Sequence, residues 1–207
     1  DNLQSKELQL TKPQSDELVG EIAKASFRLN RQVENLLNMS RLESGFIKPK
    51  NDWCDVGEVI YTTVQQVEEN EVLQQIVINV DPELPVFKLD KGMLEQVLYN
   101  LLVNATLYTP AGSRIDVIAH CHADVLEVIV EDNGPGFPGD KEDIVFSKFY
   151  RLDAGKGGGT GLGLSIVKGF TEAMGGSVAL EPSATGGARF VVALPAETSY
   201  LKNLKHE

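Results

Sequence analysis

Residues Val130–Phe170 read VEDNGPGFPGDKEDIVFSKFYRLDAGKGGGTGLGLSIVKGF. The apolar run feeding this stretch begins at Val125 and ends on an aspartate. Side chains alternate across a strand, so Leu126, Val128, Val130 and Asp132 share one side. The register that turns the valines into a core also turns the Asp132 carboxylate inward. A buried carboxylate is costly without donors, so Asp132 needs a partner. Gly134 and Gly136 follow, where a Cβ would obstruct a turn or a close approach. In FSKFYR, Phe146 and Phe149 sit at i, i+3 and are expected to pack inward, while Lys148 and Arg151 share the same spacing. Five glycines (Gly157, Gly158, Gly159, Gly161 and Gly163) then lead into a helical pattern over Leu162 to Ala173. Free N–H groups and the helix dipole make such a start a site for negative charge.

Each piece also has a plainer reading. DNGPG is equally a tight turn ending a strand, and a lysine or arginine on a loop is equally a solvated charge. The glycines do not spell the phosphate loop G-x-x-x-x-G-K-[ST], and no strand directly precedes them as a dinucleotide fingerprint requires.

The helical pattern of Lys91 to Tyr108 adds a further constraint. Its apolar stripe is Leu94, Val97, Leu98, Leu101, Leu102 and Ala105, and Asn100 and Asn104 lie about a quarter turn away. Asparagine is a mediocre helix former, because its side chain competes for backbone hydrogen bonds. The pair is either an exposed polar face or a set of neutral oxygen ligands, of the kind Mg²⁺ accepts beside phosphate and water.

Around this centre the chain reads as α+β. Strands are expected at Ile76–Val80, Val86–Leu89, Ser177–Leu180 and Arg189–Leu194, with a hairpin of Arg114–His122 and Val125–Asp132 turning at Ala123–Asp124. A further helix follows from Val56 to Val67. The order lacks strict βαβ alternation, which points to helices on one face of a mixed sheet. Upstream, Leu18, Ile22, Ala25, Leu29, Val33 and Leu36 form a narrow stripe on a helix from about 16 to 44, capped by Ser15 and stopped by Gly45. At roughly 40 Å, such a helix needs a partner along its length. That partner is either its own domain or a dimerising helical hairpin.

The 207-residue chain carries a net charge of −11, which argues against nucleic-acid binding. No apolar run approaches the ~18–20 residues of a membrane span, so no membrane contact is expected of this segment. Its two cysteines, Cys54 and Cys121, offer no disulfide framework. His120 and His122 alternate on a strand, with Cys121 pointing the other way, so no metal site is read there.

Taken together and in order, these elements resemble sensor histidine kinases. Asn100-x-x-x-Asn104-Ala105 resembles that family's N box, Asp132-x-Gly134-x-Gly136 its first glycine box, Phe146–Arg151 its F box, and Gly159-x-Gly161-Leu162-Gly163 its second glycine box. TGGARFVVALP is similar to its closing strand, and NLLNMSRLESG, Asn35 to Gly45, to the end of its dimerisation hairpin. The run from there through DWCDV looks closest to the Kdp-type, potassium-responsive members.

The resemblance implies a Bergerat-type ATP-binding α/β sandwich preceded by part of a dimerisation hairpin. It divides the chain into hairpin (1–47), connector (48–55), ATP-binding domain (56–197) and tail (198–207). ATP and Mg²⁺ are the implied ligands. Asn104 would hold Mg²⁺ with support from Asn100, Tyr108 would lie against the nucleotide, and Asp132 would take the adenine amino group. Lys148 and Arg151 would contact phosphates beside the glycines, and Leu152–Gly158 would form a lid. The parent protein would be a membrane-anchored homodimer with this portion in the cytoplasm. It would phosphorylate a histidine and pass the group to a response regulator receiver domain. His120, His122 and His206 lack the acceptor's context, so the acceptor is expected upstream. Two positions depart from the pattern: Leu107 stands where a lysine is usual, and Val103 where an acid is frequent. Leu107 favours the rival reading of a degenerate dimerising module; a gyrase-type ATPase or anti-sigma-type serine kinase is the other.

Overall fold

A computed structural model describes residues 11–45, 47–69, 72–137, 144–151 and 160–200, with backbone alone at 24, 27 and 28. The hairpin forms as expected. Strands β4 (Arg114–His122) and β5 (Val125–Asp132) pair antiparallel from Ile115↔Asp132 to His122↔Val125. Ala123 and Asp124 both have positive φ, +49° and +61°, the twist that a two-residue hairpin requires. Around it lie β2 (Gln75–Val80), β6 (Ser177–Pro182) and β7 (Ala188–Pro195), in the order β2-β4-β5-β7-β6. β2 runs parallel to β4, and the remaining pairs are antiparallel. The five-stranded sheet is therefore mixed.

Helices α2 (Val56–Glu68), α3 (Lys91–Tyr108) and α4 (Gly163–Ala173) supply the other layer. Aspartates cap two of them: Asp55 accepts from the Glu58 N–H and Asp90 from the Met93 N–H, each satisfying a donor the first turn leaves free. Val59, Leu98, Leu101 and Ile166 meet Ile115, Val128 and Val192 in one continuous buried core. The row Leu126, Val128, Val130 and Asp132 is buried throughout, as the alternation requires.

Three boundaries differ from expectation. Within the presumed connector, Asp52–Cys54 form β1, which pairs with β3 (Val86–Leu89). Thr198–Ser199, read as the start of a tail, form β8 on the other edge of β3. Both runs are too short for periodicity to reveal, and they become strands because β3 offers two open edges. The first helix, α1 (Lys12–Glu43), begins a turn earlier than expected, at Thr11 rather than Ser15. Pro13 lies in that first turn, where its missing N–H removes no helical bond. The Thr11 N–H instead finds the Gln14 side chain at 3.0 Å. Gly45, at φ +67°, ends the helix as expected.

The C-terminal third of α1 lies against α4. A Cβ at Gly169 would stand 2.7 Å from the Leu42 methyl carbons, so any larger residue there would make the Leu42 side chain shift. Met39 and Leu42 join the core, whereas Ile22, Leu29, Val33 and Leu36 are exposed.

Candidate functional site

Asp132, at the end of β5, is 8 % exposed. The protein itself supplies two donors to it, which the sequence did not reveal. Oδ1 accepts from the Gly134 N–H at 2.9 Å and the Ala188 N–H at 3.3 Å. Burial pushes the carboxyl pKa up, and the two N–H groups oppose that shift. The glycines beside it have internal reasons. A Cβ at Gly134 would meet Thr109 Cγ2 at 2.7 Å, and Gly136 (φ +67°) lies against the Gly186 carbonyl. Gly187, which the sequence reading missed, passes so close to the Asp132 carbonyl that no Cβ fits. The repeated Gly-Gly at the foot of β7 was the available signal.

Asp132 faces a shallow cavity that it shares with Asn104, Tyr108, Gly136, Phe137 and Phe190. Asn104, Tyr108 and Phe137 also line a second, adjoining cavity with Leu107, Arg151 and Gly161. The paired asparagines divide into different environments. Asn100 is 1 % exposed, donates from Nδ2 to the Gln96 carbonyl at 2.8 Å, and has a buried Oδ1 with no partner among the described residues. This rules out an exposed polar face for Asn100. A Cβ on Gly163 would lie 3.2 Å from that oxygen. Asn104, one turn on, opens into both cavities. Leu107 stands on the same side, as the helical count requires.

The two F-box cations also separate. Arg151 lines the Asn104 cavity. Lys148 lies in the groove between α1 and α4, where it pairs with Glu43 at 2.6 Å. Phe146 is buried against Phe190, but Phe149 is 69 % exposed, against the expectation of an inward pair. Phe149 takes φ +62° so that its N–H reaches the Gly161 carbonyl at 2.9 Å, and that backbone turn points the ring outward. Gly161, at φ +72°, packs directly on the Phe149 backbone. Leu162 is a core residue at the cap of α4 and lines neither cavity. Gly159 and the expected lid, 152–158, lie outside the described residues.

Sequence reasoning also did not single out Tyr150, inside the F box, Thr160, inside the second glycine box, or three residues of α1. Arg31, Gln32 and Asn35 reach the second cavity from that helix. Asn35 is buried, and an asparagine inside a helix was the same signal that marked Asn100 and Asn104.

A family model described as histidine kinase-, DNA gyrase B- and HSP90-like ATPase matches residues 89–198, the span from the end of β3 into β8 that holds the whole lining of the Asp132 cavity and all of the adjoining cavity's lining but the three residues from α1. The chain belongs to this family. Among relatives of this histidine kinase-type ATPase domain, sensor protein KdpD of Escherichia coli (strain K12) is 34 % identical over 180 residues, covering 86 % of this chain and 20 % of KdpD. The alginate biosynthesis sensor protein KinB of Pseudomonas aeruginosa is 30 % identical over 181 residues, covering 86 % of this chain and 30 % of KinB. A crystal structure of full-length ShkA in complex with AMPPNP matches with a TM-score of 0.77 and 27 % identity, covering 93 % of this chain and 41 % of that one. The chain thus spans well under half of each of these proteins. Among the described residues, no helix is long and apolar enough to cross a membrane.

Proposed function

We propose that the chain is the ATP-binding catalytic portion of a two-component sensor histidine kinase of the Kdp type. One observation carries the reading: the buried Asp132 carboxylate and the Asn104 amide line a single cavity. Adenine is assigned to the Asp132 end, where its amino group would donate to carboxylate oxygen left over from the Gly134 and Ala188 bonds. The phosphates extend past Asn104 toward Arg151 and the start of α4, whose dipole favours negative charge. Mg²⁺ suits this donor set. It takes few protein ligands and draws the rest from phosphate and water, so the Asn104 carbonyl oxygen with Asn100 behind it is sufficient. Bound there, the ion would neutralise phosphate charge. Positioning and charge stabilisation are what phosphoryl transfer asks of a protein.

The acceptor is a histidine other than the three in this chain, and the phosphoryl group passes on to a response regulator aspartate. The exposed apolar stripe Ile22, Leu29, Val33 and Leu36 supports dimerisation through α1. The KdpD likeness supports potassium or osmotic regulation and a cytoplasmic place in a membrane-anchored parent. Calorimetric titration with ATP, with and without Mg²⁺, tests the reading. Saturable, Mg²⁺-dependent binding is expected, and absence of binding would refute it. Incubation with γ-labelled ATP is expected to leave His120, His122 and His206 unlabelled.

A further inference from the structure

The cavity beside Asn104 takes a wall from α1, a helix whose sequence marked it for packing on its own domain or in a dimerising hairpin. Arg31 enters that cavity with Gln32 and Asn35. Among the described residues, the lining holds two arginines and three side-chain amides but no carboxylate, in a chain of net charge −11. Such a local reversal of sign focuses attraction for an anion.

Among the described residues, Arg31 has no anionic partner there. Its Cζ lies 5.9 Å from the centre of the Tyr99 ring, a cation–π contact. Its Nε is buried and has no hydrogen-bond partner among the described residues. Burial lowers the guanidinium pKa, opposed by the influence of Tyr99 and Tyr108. A cation taken out of water and left unpaired is costly unless an anion arrives to meet it. Across the cavity, Leu107 leaves the α3 wall without a charge, so among the described residues Arg31 and Arg151 are the cavity's cations.

We propose that Arg31 is a ligand of the nucleotide's phosphate groups, carried into the site by α1. This rests on the reading of the cavity as an ATP site and adds to it. Phosphate binding and the docked position of α1 then stabilise each other, because coupling between two such events is reciprocal. Leu42 against Gly169 and Glu43 beside Lys148 hold the far end of the same helix.

Calorimetric affinities for ATP and for adenosine, measured in Mg²⁺ on the whole chain and on Arg31→Gln and Arg31→Lys, test the proposal. Arg31→Gln is expected to weaken ATP by about tenfold, the scale of one charge-assisted hydrogen bond, while adenosine affinity stays the same. Arg31→Lys is expected to recover part of the loss. Retained adenosine binding also shows that the variant is folded. Unchanged ATP affinity in Arg31→Gln, or equal weakening of ATP and adenosine, would overturn the proposal and leave the ATP reading standing. A wild-type chain that bound neither would overturn both.

Discussion

The Lys148 ammonium lies 2.6 Å from Glu43 Oε1, joining the F box to the last turn of α1. Both side chains are about half exposed, so the pair is worth at most about 1 kcal/mol. Glu43→Gln is accordingly expected to leave the denaturation midpoint nearly unchanged. Lys148 faces the α1–α4 groove and Arg151 the Asn104 cavity. Lys148→Ala should therefore weaken ATP less than Arg151→Ala does. Equal losses in a titration would mean that Lys148 leaves Glu43 for the phosphates.

Asp132 has a pH signature. Burial raises its native pKa, so the folded state binds the proton more tightly than the unfolded chain does. The stability this group contributes is full below its unfolded pKa and is lost as pH rises through the native one. Asp132→Asn keeps an oxygen for the Gly134 and Ala188 N–H groups and removes the buried charge. The variant should be as stable as wild type in acid and more stable at neutral pH, read by urea denaturation across the carboxylate range. ATP affinity should move the other way. It should fall by at least tenfold in the variant and weaken in wild type as the carboxylate is protonated, since an amide or acid hydrogen opposes the adenine amino group.

Gly187→Ala tests how tightly the foot of β7 holds Asp132. No Cβ fits between position 187 and the Asp132 carbonyl, so the backbone must shift. A loss of about 2 kcal/mol or more in folding stability is expected, with weaker ATP binding. A variant as stable as wild type would show that this contact is loose.

Leu107→Lys places a cation in the wall that Asn104 and Arg31 share. It should tighten ATP binding in the wild-type background and restore part of the affinity lost in Arg31→Gln. Unchanged affinity in both backgrounds would put the phosphates elsewhere.

The elements legible in the sequence were those whose own residues decide them. The Ala123–Asp124 turn, the Lys91–Tyr108 helix and the inward row ending at Asp132 each follow from local periodicity. Strands β1 and β8 were not legible, because two or three residues carry no period and their pairing depends on a distant β3. The outward turn of Phe149 depends on the carbonyl of Gly161, twelve positions away in sequence. Arg31 and Asn35 belong to the cavity through packing of one helix on another, which spacing within a helix does not encode. The reading of Asp132 was correct in direction and incomplete in cause, since backbone donors from two loops meet the carboxylate before any ligand does.

A crystal structure of the chain with a non-hydrolysable ATP analogue and Mg²⁺ tests the central claim most directly. The adenine amino nitrogen should lie within hydrogen-bonding distance of a carboxylate oxygen of Asp132, with the metal on the Asn104 carbonyl oxygen. A nucleotide bound away from Asp132, or phosphates and metal remote from Asn104, would contradict it.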